Sequence, residues 1–257
     1  MQVFVKYGLF EALGVPLAMS AFQFALLVFA TICIAAGGNV INDIYDVDID
    51  KINKPSNVVV GAKISEKTAN QLFIALTVLG VTAGFYLSNS IEKPGFAAVF
   101  IIVSALLYMY ASSLKGMLLV GNLLVSALVA FSLLIVGIFD IVAVIQPEDK
   151  EIQLLALNVL LHYAFFAFFI NFIREIVKDI QDINGDKNGG INTLPIAIGR
   201  KRTTYVVFGL GVLAVFLVIL YMYVFLYSTQ PMVLYFLFLV VAPLLYFCIK
   251  TWSAETL

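Results

Sequence analysis

Long apolar runs separated by short polar segments dominate this sequence. A helix of about 20 apolar residues crosses the hydrocarbon core of a bilayer, and it satisfies its own backbone hydrogen bonds there. By that length we predict seven membrane-spanning helices, at roughly 20–42, 69–88, 95–113, 118–144, 152–176, 203–226 and 231–250. Residues 2–19 contain Lys6, Glu11 and Pro16, and we predict that this segment is too interrupted to span.

The composition excludes an ordinary soluble domain. Hydrophobic residues make up 62% of the 257 residues and charged residues 12%, with a mean hydropathy of +1.03. Cys33 and Cys248 lie inside apolar runs, where we expect them to pack rather than form a disulfide. We therefore expect membrane lipids around the protein and no nucleic-acid partner.

Basic residues distinguish the two faces of the membrane. If the loops alternate between faces, one face carries twelve of the 15 Lys and Arg residues, and the other carries only Lys6, Lys93 and Lys150. Cytoplasmic loops of membrane proteins are enriched in Lys and Arg. We predict a multi-pass protein of the cell (cytoplasmic) membrane whose basic loops, with their aspartates, lie on the cytoplasmic side.

An acidic stretch follows the first apolar run. Residues 39–55 read N-V-I-N-D-I-Y-D-V-D-I-D-K-I-N-K-P, and Asp43, Asp46 and Asp50 fall at i, i+3 and i+7. On a helix these three carboxylates share one face and repel one another unless a positive charge lies among them. A hard divalent cation with oxygen ligands suits such a face, and Mg²⁺ suits a site that is open to water and substrate phosphates.

The same spacing returns at Asp179, Asp182 and Asp186. Two acidic helical faces that met across one cavity could hold a metal-bridged diphosphate, and Lys or Arg could stabilise the leaving group. An adjoining cavity lined by apolar side chains could hold a long hydrocarbon. Together these features suggest ionisation of an allylic diphosphate and transfer of its prenyl group to an acceptor. Gly185, Gly189 and Gly190 predict a helix break after the second cluster.

Three other interpretations of the aspartates compete with this one. The aspartates could be solvated loop charges. A calcium-binding EF-hand loop starting at Asp46 fails at its sixth and twelfth positions, which are Lys51 and Asn57. A cation-coupled transporter would place charge near the membrane midplane, whereas span interiors here carry few ionisable residues besides His162 and Asp140.

The acidic motifs resemble those of a known family. The first reads N-D-x-x-D-x-x-x-D and resembles the signature of the UbiA superfamily of intramembrane prenyltransferases; it comprises Asn42, Asp43, Asp46 and Asp50. The pair Asp182 and Asp186 resembles the second motif, D-x-x-x-D. The flanks agree too, with I-N-K-P after the first motif and T-L-P after the second, and the resemblance covers nearly the whole chain.

The resemblance implies an all-α transmembrane bundle around a central cavity. It implies a single prenyltransferase domain over residues 1–257. Members of the family usually have nine spans, so with seven visible we expect a chain truncated at both ends. The family often has Y-x-x-x-K before the connection that here ends at Lys115, yet that position is Ala111, and Tyr110 comes one residue too early.

The resemblance also implies roles for particular residues. The implied catalytic residues are Asp43, Asp46, Asp182, Asp186 and Lys115. The implied ligands of the Mg²⁺ cofactor are Asp43, Asp46, Asp50, Asp179, Asp182 and Asp186. The implied diphosphate contacts are Asn39, Asn42, Lys51, Arg174 and Lys178.

Within the family, the run through the first motif and the later N-V-V-V-G is most similar to a branch, with bacterial members among its relatives, that makes an ether lipid. That similarity implies geranylgeranyl diphosphate as the prenyl diphosphate donor. It implies geranylgeranylglyceryl phosphate, a lipid phosphate, as the acceptor. The alternative is an aromatic acceptor such as the quinone precursor 4-hydroxybenzoate.

Overall fold

The computed structural model describes residues 1–254, and its helices form a membrane-spanning bundle. Seven helical segments in this part of the chain are long and apolar enough to cross a bilayer: Ala21–Tyr45, Glu66–Ser90, Pro94–Ser112, Val120–Val144, Lys150–Asn188, Arg200–Leu226 and Gln230–Ser253. Each predicted span overlaps one of them, so the prediction of seven spans is confirmed. No strand occurs among the described residues.

The helices are named in chain order. They are α1 (Ala21–Tyr45), α2 (Val47–Asn53), α3 (Glu66–Ser90), α4 (Ala97–Ser112), α5 (Val120–Asp140), α6 (Lys150–Asn188), α7 (Leu194–Ile198), α8 (Arg200–Tyr221), α9 (Gln230–Phe236) and α10 (Ala242–Ser253). Short π-helical segments extend α8 through Leu226 and join α9 to α10. Helices α1, α3 and α4 pack together, as do α5 with α6 and α8 with α10, while the short α2 contacts α6.

Helix α6 is longer than predicted. The apolar pattern indicated a span over 152–176, but the helix continues to Asn188 and carries the second acidic cluster on the same rod. Twelve further residues add about 18 Å at 1.5 Å per residue. The predicted break is wrong for Gly185, which stays inside the helix, whereas Gly189 is the cap that ends it.

Small residues let the first helices approach closely. A side chain on Gly80 of α3 would place its Cβ 2.6 Å from Cγ1 of Ile34 on α1, and a side chain on Gly84 would overlap the ring of Phe100 on α4. Helices in lipid gain little from the hydrophobic effect, so tight packing at small residues contributes much of their association. This close contact fixes α1, whose last turn begins the first acidic stretch.

The N-terminal segment packs against the bundle through a buried ion pair. Residues Phe4–Phe10 form a π-helix whose Lys6 is 2% exposed, and Lys6 Nζ lies 2.9 Å from Oδ2 of Asp140 at the end of α5. Lys6 also donates to the carbonyl oxygen of Met19 at 2.9 Å, while the Met19 N–H donates to Asp140. Asp140 is an ionisable residue noted in the sequence, and its negative charge is therefore compensated by Lys6.

We expect Lys6→Met to destabilise the protein by about 3–5 kcal/mol, because it leaves the Asp140 carboxylate buried without its partner. The apparent melting temperature in detergent measures this. The exposed Lys93→Met is the matched control and should leave that temperature unchanged. Equal melting temperatures for the two variants would contradict the structural role of the pair.

Candidate functional site

The first acidic stretch folds as two helices joined at one residue. Helix α1 ends at Tyr45, Asp46 leaves helical geometry (φ −92°, ψ 0°), and α2 begins at Val47. The backbone N–H of Asp46 still donates to the carbonyl oxygen of Asn42 at 2.9 Å, and that of Asp50 donates to Asp46 at 2.8 Å. The i, i+4 hydrogen bonds thus continue through the junction, and Asp43, Asp46 and Asp50 all line one pocket.

The second acidic stretch lies in the last third of α6 and lines the same pocket. Asp179, Asp182 and Asp186 enter it from α6, opposite the residues of α1 and α2. The expectation that two acidic helical faces share one cavity is met in this structure. The full lining is Asn42, Asp43, Asp46, Ile49, Asp50, Lys54, Tyr110, Lys115, Gly121, Asn122, Glu175, Lys178, Asp179, Asp182, Asp186 and Thr193.

Negative charge exceeds positive charge in this acidic pocket. Seven carboxylates and three lysines line it, an excess of four formal negative charges. Among the residues that the structure describes, no three His, Cys, Asp or Glu side chains come close enough to form a metal site by themselves. Mg²⁺ is commonly bound through one or two carboxylates together with waters and substrate phosphates. The all-oxygen donor set therefore fits Mg²⁺ shared with an anionic substrate rather than a closed protein cage.

Lysines from other segments hold the aspartates. Lys115, in the connection between α4 and α5, contacts the nearly buried Asp46, which also accepts a hydrogen bond from Nδ2 of Asn42 at 2.7 Å. Lys54, which follows α2, lies 3.3 Å from Oδ2 of Asp182. These contacts join the segments that surround the pocket.

Three predicted contact residues lie elsewhere. Lys51 points away from the pocket and pairs with Asp48 at 2.8 Å, with both side chains well exposed. Arg174 donates to Glu175 and has a side chain that is 69% exposed, so it reaches the pocket wall only through that neighbour. Asn39 lines a separate apolar cavity. Direct contact of these three residues with the acidic pocket is not supported.

Several residues that line the acidic pocket were not predicted from the sequence. Tyr110 lines the pocket although it precedes Lys115 by one residue more than the family pattern allows. Helix α4 ends at Ser112, and Ser113 has a non-helical backbone (φ −150°, ψ −45°), so helical spacing does not connect Tyr110 with Lys115. Asn122, at the start of α5, donates from Nδ2 to Oδ2 of Asp179 at 2.8 Å.

Thr193 contributes an unpaired hydroxyl to the pocket. Thr193 is 6% exposed, and its Oγ1 is buried. Among the described residues, it is the one buried side-chain oxygen or nitrogen without a hydrogen-bond partner. Thr193 precedes α7, where threonine commonly caps the helix, but its side chain makes no such bond. A buried unpaired hydroxyl is costly, so its place in the pocket wall indicates a donor for a bound ligand.

An apolar cavity of about 360 Å³ adjoins the acidic pocket. It is lined by Thr31, Ile32, Ile34, Ala35, Asn39, Val99, Phe100, Val103, Leu107, Val125, Leu128, Val129, Phe131, Ser132 and Ile135. On each of three helices, the cavity residue nearest the acidic pocket is three positions along the chain from a residue of that pocket. The pairs are Asn39 and Asn42 on α1, Leu107 and Tyr110 on α4, and Val125 and Asn122 on α5. Three residues along a helix correspond to about 4.5 Å, so the two spaces are neighbours.

The fold and the site define a class of protein: a membrane helical bundle in which an acidic pocket adjoins an apolar cavity. Comparison with known sequences gives the family. Residues 7–256 match the UbiA prenyltransferase family, and the chain belongs to that family.

Archaeal relatives agree with this assignment. Proteins named digeranylgeranylglyceryl phosphate synthase from Methanococcoides burtonii, Sulfolobus acidocaldarius and Saccharolobus solfataricus are 32%, 35% and 36% identical to this chain. The matches cover 81%, 70% and 66% of this chain. The chain spans 68%, 59% and 55% of the length of those relatives.

Solved structures share the fold. One, from work on digeranylgeranylglyceryl phosphate synthase in membranes, superposes with a TM-score of 0.55 at 27% identity, covering 92% of this chain and 76% of its own. A UbiA homologue from Archaeoglobus fulgidus bound to DMAPP and Mg²⁺ superposes with a TM-score of 0.59, covering 90% and 76%. At 18% identity the second likeness concerns the fold alone. The prediction of an all-α UbiA-like bundle is confirmed.

We expect Lys115→Met to lower kcat for prenyl transfer by about 100-fold or more, because it removes a cation aimed into the site where charge develops. Lys51→Met is the matched control, since Lys51 lies outside the pocket, and it should retain activity close to that of the wild type. Steady-state kinetics of the two purified variants test this. A larger loss for Lys51→Met than for Lys115→Met would contradict the geometry.

Proposed function

We propose that this protein transfers a geranylgeranyl group from geranylgeranyl diphosphate to the free hydroxyl of geranylgeranylglyceryl phosphate. The bond between the allylic carbon and the diphosphate oxygen breaks, an ether bond to the acceptor oxygen forms, and the hydroxyl proton passes to a carboxylate of the pocket. The products are an ether lipid and diphosphate. The observation that carries the proposal is that the acidic pocket adjoins the apolar cavity along three helices.

The charge of the pocket supports a requirement for Mg²⁺. A diphosphate would enter a space that already has an excess of four negative charges. The residues that would hold the metal are Asp43, Asp46, Asp50, Asp179, Asp182 and Asp186. When bound, Mg²⁺ neutralises the oxygens of the diphosphate and so favours its departure.

The lysines of the pocket supply positive charge of the protein's own. Lys115, Lys54 and Lys178 approach from the α4–α5 connection, the end of α2 and α6, respectively. As the allylic bond breaks, negative charge grows on the diphosphate, and preorganised cations stabilise that charge more than the ground state. The amide of Asn42 orients Asp46, to which it donates.

The apolar cavity would hold the prenyl tail. Its walls are almost entirely aliphatic and aromatic, and Asn39 lies at the end nearest the acidic pocket. A tail in this space would be buried from water, which protects the allylic cation from hydrolysis. Asn39 would then orient the junction between head group and tail rather than the aspartates themselves.

The setting we propose is the cytoplasmic membrane with the acidic pocket on its cytoplasmic side, based on the twelve-to-three distribution of basic residues. Residues 1–257 would serve as one prenyltransferase domain. Both acidic stretches, and the residues that line the acidic pocket and the apolar cavity, lie within this range.

The function is tested by diphosphate release from geranylgeranyl diphosphate in liposomes with Mg²⁺. Geranylgeranylglyceryl phosphate and 4-hydroxybenzoate are compared as acceptors. Release with the lipid phosphate alone is the expected result. Release with only the aromatic acid would contradict the proposed acceptor, and Mg²⁺-independent cation flux without release would favour a transporter.

We expect Asp43→Asn and Asp182→Asn each to lower turnover by about 100-fold or more, because each removes a metal-binding charge from one of the two acidic stretches. Asp48→Asn is the control: its side chain is 93% exposed and lies outside the pocket. All three variants should have similar melting temperatures in detergent. Turnover of Asp43→Asn or Asp182→Asn equal to that of Asp48→Asn would exclude the assigned metal ligands.

Thr193→Val should weaken binding of inorganic diphosphate with Mg²⁺ by roughly tenfold or more, because it removes the hydroxyl that would donate to the anion while keeping the shape of the side chain. Thr193→Ser keeps the hydroxyl and should bind as tightly as the wild type. Calorimetric titration gives both dissociation constants. Unchanged binding by Thr193→Val would show that Oγ1 does not contact the ligand.

A further inference from the structure

The side chain of Asn53 joins the two acidic stretches. Asn53 is the last residue of α2, three residues after Asp50. Its Nδ2 donates to the backbone carbonyl oxygen of Asp182 at 2.9 Å, and its Oδ1 accepts from the backbone N–H of Gly185 at 2.8 Å. One amide therefore binds the α6 backbone through both of its ends, between Asp182 and Asp186.

The absence of a side chain at position 185 makes room for this contact. A Cβ on Gly185 would lie 2.5 to 2.7 Å from Nδ2, Cγ and Oδ1 of Asn53, and these are its three nearest neighbours. Gly189, one turn later, similarly faces Ile49 of α2, whose Cδ1 would lie 2.8 Å from an added Cβ. Helix α2 thus rests directly on the backbone of α6.

The other contacts that place α2 are less specific. It has seven residues, none of them buried, and its apolar contact with the α6 backbone is Ile49 on Gly189. The ion pair between Lys54 and Asp182 adds a second link to the second stretch, but the lysine side chain is 42% exposed and the pair is consequently weak. The amide of Asn53, with two directional hydrogen bonds, is the contact that sets where α2 lies along α6.

We propose that Asn53 and Gly185 act as a clasp that fixes the distance between the two acidic stretches, so that both can bind one cation–diphosphate complex. Asn53 is a positioning residue in this account, because it contacts the α6 backbone rather than the ligand. The proposal rests on the proposed function of the same pocket. It adds the element that holds the two halves of the pocket in register.

The clasp predicts an unusual pattern for three variants. Asn53→Ala removes the amide, and Gly185→Ala pushes it away, so each should weaken the binding of Mn²⁺ with inorganic diphosphate by about 10-fold or more. The double variant should bind no worse than Asn53→Ala, because the added methyl group then no longer meets the amide. If the two residues acted independently, the fold losses in affinity of the two single variants would instead multiply in the double variant.

Thermal stability separates positioning from simple destabilisation. Within a helix, alanine is more favourable than glycine by about 1 kcal/mol. The melting temperature of the double variant should therefore be no lower than that of Asn53→Ala alone. In the double variant, binding of Mn²⁺ with diphosphate should nevertheless stay weakened. If Asn53 only stabilised the fold, the double variant would regain binding together with stability.

The experiment measures Mn²⁺ binding by electron paramagnetic resonance, with inorganic diphosphate, for the full chain and the three variants. Mn²⁺ substitutes for Mg²⁺, and no turnover is required. In parallel, kcat and the Mg²⁺ concentration for half-maximal rate are measured with geranylgeranyl diphosphate and the lipid acceptor. We expect that concentration to rise about tenfold or more in all three variants.

The outcomes distinguish the clasp from the function. The expected binding pattern in a protein that turns over neither acceptor would support the clasp and contradict the proposed function. Wild-type binding by Asn53→Ala, or multiplicative losses in the double variant, would overturn the clasp even in an active enzyme. A wild type that binds no Mn²⁺ with diphosphate would overturn it as well.

Discussion

Repulsion among seven carboxylates in one small space is the constraint on which the arrangement of this site depends. The three lysines that line the pocket compensate fewer than half of these charges. Each contact that relieves the repulsion also joins different parts of the chain. Lys115 brings the α4–α5 connection to Asp46, Lys54 brings the end of α2 to Asp182, and Asn122 brings the start of α5 to Asp179. The compensation is incomplete, and the deficit favours a divalent cation together with its anionic partner.

A second charged group in the bundle shows the opposite balance. Lys6 and Asp140 are buried, pair with each other, and have their other polar partners at Met19. Nothing there is left for a ligand, which suits a purely structural role. In the pocket, by contrast, charge is unbalanced and the hydroxyl of Thr193 is unpaired. The difference between satisfied and unsatisfied polar groups separates the site from the scaffold.

The sequence predicted well what depends on distances along one helix. A span needs about 20 apolar residues, and spacing of i, i+3 and i+7 places three aspartates on one face. Contacts between helices were harder, because spacing along the chain does not specify them. The Asn53–Gly185 contact joins residues 132 positions apart. The place of Tyr110 in the pocket could not be predicted from its spacing to Lys115, because the helix ends between the two residues. Lys51 and Arg174 were assigned to the pocket from their motifs, although nearby carboxylates hold them outside it.

We infer that this pocket binds diphosphate only together with a divalent cation. Isothermal titration calorimetry of inorganic diphosphate into the purified wild-type protein, with Mg²⁺ and then with EDTA, tests it most directly. Tight binding with Mg²⁺ and negligible binding with EDTA is the predicted result, because the uncompensated carboxylates would repel the free anion. Equally tight binding in EDTA would mean that the lysines alone hold the diphosphate, and it would contradict the account.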